Sequence, residues 1–217
     1  MIPTVFDPLE RPTPRLVHFT GRPRGDSPLP GDVAHLNAEQ RLASILVSGQ
    51  LRAFPVYGTV DVPVIGASDI SPADLEAAFR TGLSTRGPFE PWALVLSRTS
   101  MWVSGARPVL YADYAEAPKI RAALDERSPG RSALVQRIDL IMYRSDWTHE
   151  REWRWIAGAA RERIPVWPQL DAVIVAQKGW QPPGLGARPD AAKVQRWWWS
   201  GTHLIDDGLI TEPSPYE

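Results

Sequence analysis

Cysteine is missing from all 217 residues. That excludes a disulfide framework, a thiolate metal site and a cysteine nucleophile. Neither sign of charge is in excess: 24 Lys and Arg stand against 25 Asp and Glu, a formal net charge of -1. The chain therefore has no overall electrostatic footprint for sequence-independent nucleic-acid binding, although a local basic groove stays open. No apolar run approaches the length of a membrane span. The opening residues MIPTV lack the basic and apolar regions of a signal peptide. Histidine is scarce and scattered at His18, His35, His149 and His203, with no HExxH or paired spacing for a metal. There is no Walker A or dinucleotide fingerprint, so Gly184-Leu185-Gly186 reads as a surface turn. There is no GxSxG elbow either, and Ser104-Gly105 reads as a turn between strands. Together these absences point to a soluble cytoplasmic protein that uses no metal.

What is present is apolar and aromatic. The hydrophobic fraction is 43% and ten residues are tryptophan, enough for a sizeable core and unlike a disordered chain. The most informative stretch is residues 147–155, WTHEREWRW. Strand alternation would put Glu150, Glu152 and Arg154 on one face and Arg151, Trp153 and Trp155 on the other. Such a strand buries tryptophan and presents acid. A carboxylate fixed beside packed aromatics suits catalysis, because burial and rigid geometry tune it. An edge strand with a solvated charged face fits the same pattern.

Residues 1–14 carry four prolines and read as an extended lead-in. Residues 16–20 form a short strand candidate, and 21–36 a Gly/Pro/Asp-rich loop. Asn37 with Gln40 three residues on is a capping-box pattern. It opens a helix whose apolar face is Leu42, Ile45 and Leu46, and Gly49 stops it. Residues 62–68 read as a strand, placed at an edge by Pro63. Ser71-Pro72-Ala73-Asp74 starts a helix with Leu75, Ala78 and Phe79 inward and Gly82 at its end. Residues 83–91 form a Gly/Pro turn region.

Residues 92–97, 107–111, 150–157 and 171–177 read as further strands, and 116–127 as a helix. Residues 131–144 hold a helix, or a helix followed by a strand. Residues 190–199 read as a short helix ending in Trp197-Trp198-Trp199. Short strands mixed with helices, without regular βαβ alternation, predict an α+β fold in one domain.

His18 and Thr20 share a strand face, where an imidazole and a hydroxyl can bind a small polar ligand such as a ribose. A histidine satisfied within the core fits the same residues. The tryptophans read equally as core, as interface or as base-stacking platforms.

These residues carry a resemblance. His18-Phe19-Thr20, followed by LASILVSGQL at 42–51, resembles the HxT and L-xx-IL-xx-G-x-L signature of DarT-like ADP-ribosyltransferases. It is also similar to bacterial abortive-infection proteins of the AbiGi type. GARPVLY at 105–111 resembles their GxxPVxY strand. HEREWR at 149–154 resembles the EREWR of AbiGi-like proteins and the strand that holds the DarT catalytic glutamate. The three blocks agree in order and rough spacing over residues 15–177, which leaves 178–217 as a C-terminal extension packing on the core.

The resemblance implies an ADP-ribosyltransferase fold, a split and mainly antiparallel sheet with NAD⁺ as substrate in its cleft. It implies a mono-ADP-ribosyltransferase, a toxin or anti-phage effector, whose acceptor is nucleic acid or protein and which has an antitoxin or partner protein. By position, His18 and Thr20 would hold the nicotinamide ribose and Tyr111 would lie near the cleft. Glu152 would be the catalytic carboxylate, with Glu150 second. The family's arginine upstream of the proline–tyrosine block does not align here. Arg98 is the first choice for contact with NAD⁺, followed by Arg80 and Arg86. The asparagine of the family's first helix has no clear counterpart.

The implied chemistry is coherent. Breaking the nicotinamide–ribose bond gives an oxocarbenium-like transition state, which a nearby carboxylate stabilises. Two alternatives stand beside it. One is a non-catalytic regulatory or binding module on the same fold, AbiGi-like in role. The other is a metal-independent nuclease using His149 and Glu150 as acid and base.

Overall fold

The computed structural model describes residues 15–21, 33–55, 62–82, 87–138, 151–157, 162–185 and 188–212. The expectations for residues 1–14, for His149 and Glu150, and for Arg86 lie outside the described residues.

The α1 helix (Ala38–Ser48) begins where the sequence predicts. The Asn37 side chain accepts from the Gln40 backbone N–H at 2.8 Å, and Gln40 returns the bond to the Asn37 N–H at 3.0 Å. The helix ends on Gly49 at φ 71°, a left-handed position that glycine occupies without strain. Leu42 and Leu46 are fully buried, while Ile45 is half-buried. The α2 helix (Pro72–Arg80) is capped by Ser71 and turns Leu75, Ala78 and Phe79 inward.

The strands are β1 (Arg15–Phe19), β2 (Gln50–Arg52), β3 (Phe54–Pro55), β4 (Pro63–Ser68), β5 (Ala93–Ser97), β6 (Arg107–Pro108) and β7 (Leu110–Ala112). They continue with β8 (Val135–Arg137), β9 (Glu152–Ile156), β10 (Arg163–Pro165), β11 (Leu170–Val175), β12 (Gln195–Trp199) and β13 (Leu204–Leu209). Two more helices, α3 (Arg98–Val103) and α4 (Ala117–Arg127), complete the α+β set. The main sheet runs β13-β12-β11-β5-β1-β4-β9-β6, with β3 also on β4. Its pairings are antiparallel except β11 with β12. Two small sheets, β2 with β10 and β7 with β8, stand apart from it.

The main sheet is covered on both faces. On one, Leu16, Ile65, Leu94, Leu96, Trp155 and Val173 pack with Leu42 and Leu46 of α1. On the other, Val17, Val95, Ile174, Trp197 and Trp199 pack with Leu75, Ala78 and Phe79 of α2. Beyond α2, the second face continues under β8 and the 3-10 turn Arg131–Leu134, which receive Arg154 of β9.

Three expectations are corrected. The β4 strand lies inside the sheet, between β1 and β9. Pro63 opens the strand and faces Pro55 of the short β3, where a missing N–H does little harm. The triple tryptophan is a strand, not a helix end, and alternation buries Trp197 and Trp199 while Trp198 is half-buried on the other side. Residues 178–217 do more than pack on the core, since β12 and β13 extend the sheet itself. The 131–144 ambiguity resolves over 131–137 into a 3-10 turn followed by β8. Among the described residues no helix is long and apolar enough to cross a membrane.

Candidate functional site around Glu152 and Gly66

Glu152 opens β9, and the register fixes its surroundings. Ser68 of β4 stands opposite Glu152, and Gly66 stands opposite Arg154. Directly opposed residues share a face, so Glu152 and Arg154 lie on the face away from Trp153 and Trp155. This is the predicted alternation. What differs is the cover. Arg154 is 2% exposed and the Glu152 side chain 17%, so this face of β9 is roofed over and not washed by solvent.

Arg154 holds the carboxylate with a two-pronged bond. Its Nε donates to Oε1 of Glu152 and its terminal nitrogen to Oε2, both at 2.8 Å. The remaining guanidinium bonds reach the Ala133 carbonyl at 2.6 Å and Oε1 of Gln136 at 2.7 Å. The Glu152 backbone is held as well. Its N–H donates to the Tyr111 hydroxyl at 2.9 Å, and its carbonyl accepts from the Val109 N–H at 2.8 Å. Just before it, Arg151 has φ 42°, the one left-handed non-glycine residue among those described. A β-carbon at Gly66 would sit 3.1 Å from Oε1 of Glu152.

His18 reaches the same glycine from the other side. Its Nδ1 lies 2.6 Å from the Gly66 carbonyl. A carbonyl only accepts, so Nδ1 carries the proton. The one register pair between β1 and β4 is Val17 with Ser68. That pair assigns Val17 to the Glu152 face and His18 to the tryptophan face. Beyond it, the His18 ring takes the place of a ladder bond in the seam between the two strands.

Two of the expected site residues therefore meet, Glu152 and Tyr111 on its N–H, whereas His18 bonds Gly66 from the tryptophan face, opposite to the Glu152 carboxylate. Thr20 does not join them. It is 5% exposed, and its hydroxyl lies 2.9 Å from both the Ala38 and Trp92 carbonyls, which share its proton. It fastens the start of α1 to Trp92, just before β5. Arg98 pairs with Asp69 at 2.9 Å and stacks 5.8 Å over the Trp153 ring. It lies against the tryptophan side of β9, opposite to the Glu152 carboxylate. Arg80 donates to the Thr202 carbonyl between β12 and β13, at the far end of the strand order.

Sequence reasoning placed Arg154 on the Glu152 face without giving it a role, and it missed Gly66 and Gln136. The Glu-x-Arg spacing was a usable signal for Arg154, because residues two apart on a strand are neighbours on one face. Nothing local marked Gln136, which reaches the pair from a separate small sheet.

Several guanidinium groups crowd this end of the molecule. Arg121 of α4 donates to the Val135 carbonyl at 3.0 Å. Burial, then the neighbouring charges of Arg137 and Arg154, pull its pKa below the usual arginine value. Arg137 itself stacks over the Tyr114 ring at 4.7 Å. Among the described residues no group of three or more His, Asp or Glu side chains could hold a metal ion. The arrangement offers an oriented carboxylate in a cationic surround, with a histidine of defined tautomer on the opposite face of the sheet.

No protein-family model, no curated protein and no solved structure matches this chain.

Proposed function

We propose that the chain transfers ADP-ribose from NAD⁺ to an acceptor, with Glu152 as the catalytic carboxylate. One observation carries this reading: Glu152 is held as an oriented carboxylate, by Arg154 through both of its oxygens and by the Tyr111 hydroxyl at its backbone N–H. In the reaction the bond from nicotinamide nitrogen to ribose C1 breaks, and its electron pair leaves with nicotinamide. A lone pair of the acceptor forms the new bond to C1, and the acceptor's proton passes to solvent. Positive charge builds on the ribose in between. A carboxylate fixed beforehand stabilises that charge without reorganising, and removing such a group costs on the order of 100- to 1000-fold in rate. Arginine side chains at the β8 end suit a pyrophosphate.

The test is incubation with labelled NAD⁺ and total cell nucleic acid and protein. Wild type should release nicotinamide and label an acceptor. Glu152→Gln should lower both by about 100- to 1000-fold, leaving a measurable residual rate, and Glu150→Gln should not. The reverse pattern moves the role to Glu150, and an inactive wild type, beside a working control transferase, sinks the reading.

A second reading is a non-catalytic binding or regulatory module. It is favoured by the engagement of both Glu152 oxygens with Arg154. Thr20 is likewise turned inward and Arg98 already paired. Calorimetric binding of NAD⁺ or of a partner protein, with no nicotinamide released, would decide for it.

A further inference from the structure

We infer that Arg154 is a positioning residue for Glu152, and that Gly66 keeps clear the space the carboxylate occupies. The inference rests on the transferase reading above.

Arg154 is almost wholly buried, and its acid partner is a near neighbour on its own strand. Two go to Glu152, two residues before it on the same strand face. The other two go to the Ala133 carbonyl and to Gln136. The guanidinium is thus anchored on the β8 side, and its fork points back along its own strand. A planar fork that meets both oxygens fixes the plane of a carboxylate as well as its place. Lysine could match the charge but not the fork, being a point charge on a flexible stem.

Gly66 supplies the other boundary. No left-handed backbone angle requires glycine at this position, so what matters is room: an added β-carbon would lie 3.1 Å from Oε1 of Glu152. A contact that tight obliges the neighbour to give by a few tenths of an ångström. The neighbour is a carboxylate held by two bonds, so the displacement falls on the proposed reacting group. The Gly66 carbonyl also receives His18, so the same residue separates the imidazole from the acid.

Steady-state nicotinamide release from NAD⁺ by the full chain tests this. Arg154→Lys and Arg154→Gln should lower kcat by roughly tenfold or more, because an ångström of misplacement can cost about 100-fold. KM should stay within about twofold, the pattern of an interaction made in the transition state. Glu152→Gln/Arg154→Gln should be no slower than Glu152→Gln alone, since residues that act as one unit do not add. A purely structural arginine would lower the rate again in that background. Gly66→Ala should lower kcat severalfold with little change in thermal midpoint, and it removes no buried charge.

Wild-type kcat in Arg154→Lys, or an additive loss in the double variant, overturns the inference. If Arg154→Gln does not fold, undiminished kcat in Gly66→Ala overturns it instead. A wild type that releases no nicotinamide removes the transferase reading and this inference together. An active wild type whose Arg154 and Gly66 variants keep full kcat removes this inference alone.

Discussion

Arg196 of β12 and Asp207 of β13 meet at 2.7 Å with neither side chain exposed to solvent. Arg196 also donates to the carbonyls of Trp180, Asp207 and Glu212, and Asp207 accepts from the Gly179 N–H. Removing one partner strands a buried charge, so Arg196→Ala should cost about 3–5 kcal/mol. Asp207→Ala should cost about as much. The apolar pair Arg196→Met/Asp207→Leu should remain less stable than wild type, because three carbonyls and one N–H lose their partner. Urea denaturation followed by tryptophan fluorescence measures all three.

Asn37 and Gln40 satisfy one another at the start of α1. Asn37→Ala should destabilise the protein by about 1 kcal/mol, and Asn37→Gly by only a few tenths. Equal losses for the two would show that the cap is not what the side chain contributes. Thermal melts of the two variants give the comparison.

Thr20 separates a structural role from a ligand-binding one. The Trp92 carbonyl keeps the Thr20 backbone N–H at 2.9 Å when the hydroxyl is gone. Thr20→Val should therefore cost about 1 kcal/mol of stability, and Thr20→Ser should restore it. If the structural role is the whole role, KM for NAD⁺ stays put in Thr20→Val. A large rise in KM with unchanged stability would return Thr20 to the ligand.

Asp125 accepts from the Ser132 N–H at 2.8 Å. Hydrogen bonds from the Ser132 backbone, then from its side chain, hold the Asp125 pKa below the ordinary 3.8. A carboxylate depressed in the folded state adds stability above its unfolded value and loses it as pH falls through the folded one. Wild type should therefore exceed Asp125→Asn in stability at neutral pH, and the gap should narrow below about pH 4. Denaturation midpoints at pH 7 and pH 3 check the sign.

The features legible in the sequence were those whose cause is local. The Asn37 cap, the Ser71-Pro72 start and the β9 alternation each depend on residues a few positions apart. The Glu152 face was read as acid-bearing and open because its cover comes from residues 131–137, which no periodicity links to it. The same holds for β13, whose buried Asp207 is paired with Arg196 of the neighbouring β12, a partner that no local periodicity marks. Trp197 to Trp199 suggested a helix end, but bulky aromatics fit a pleated surface better, and two cores waited for them on opposite faces. Pro63 suggested an edge because the rule concerns missing ladder bonds, and its position at the strand's first residue escapes that rule.

The parallel pairing of β11 with β12 has a consequence for how the chain is made. The β11 strand is apolar on both faces, with Val173 and Val175 in one core and Ala172 and Ile174 in the other. Until β12 is synthesised, its outer rim offers unpaired N–H and C=O groups to any other nascent chain. A protein truncated after residue 177 should consequently associate through that rim. Light scattering would show it growing with concentration, while the full chain under the same conditions stays clear.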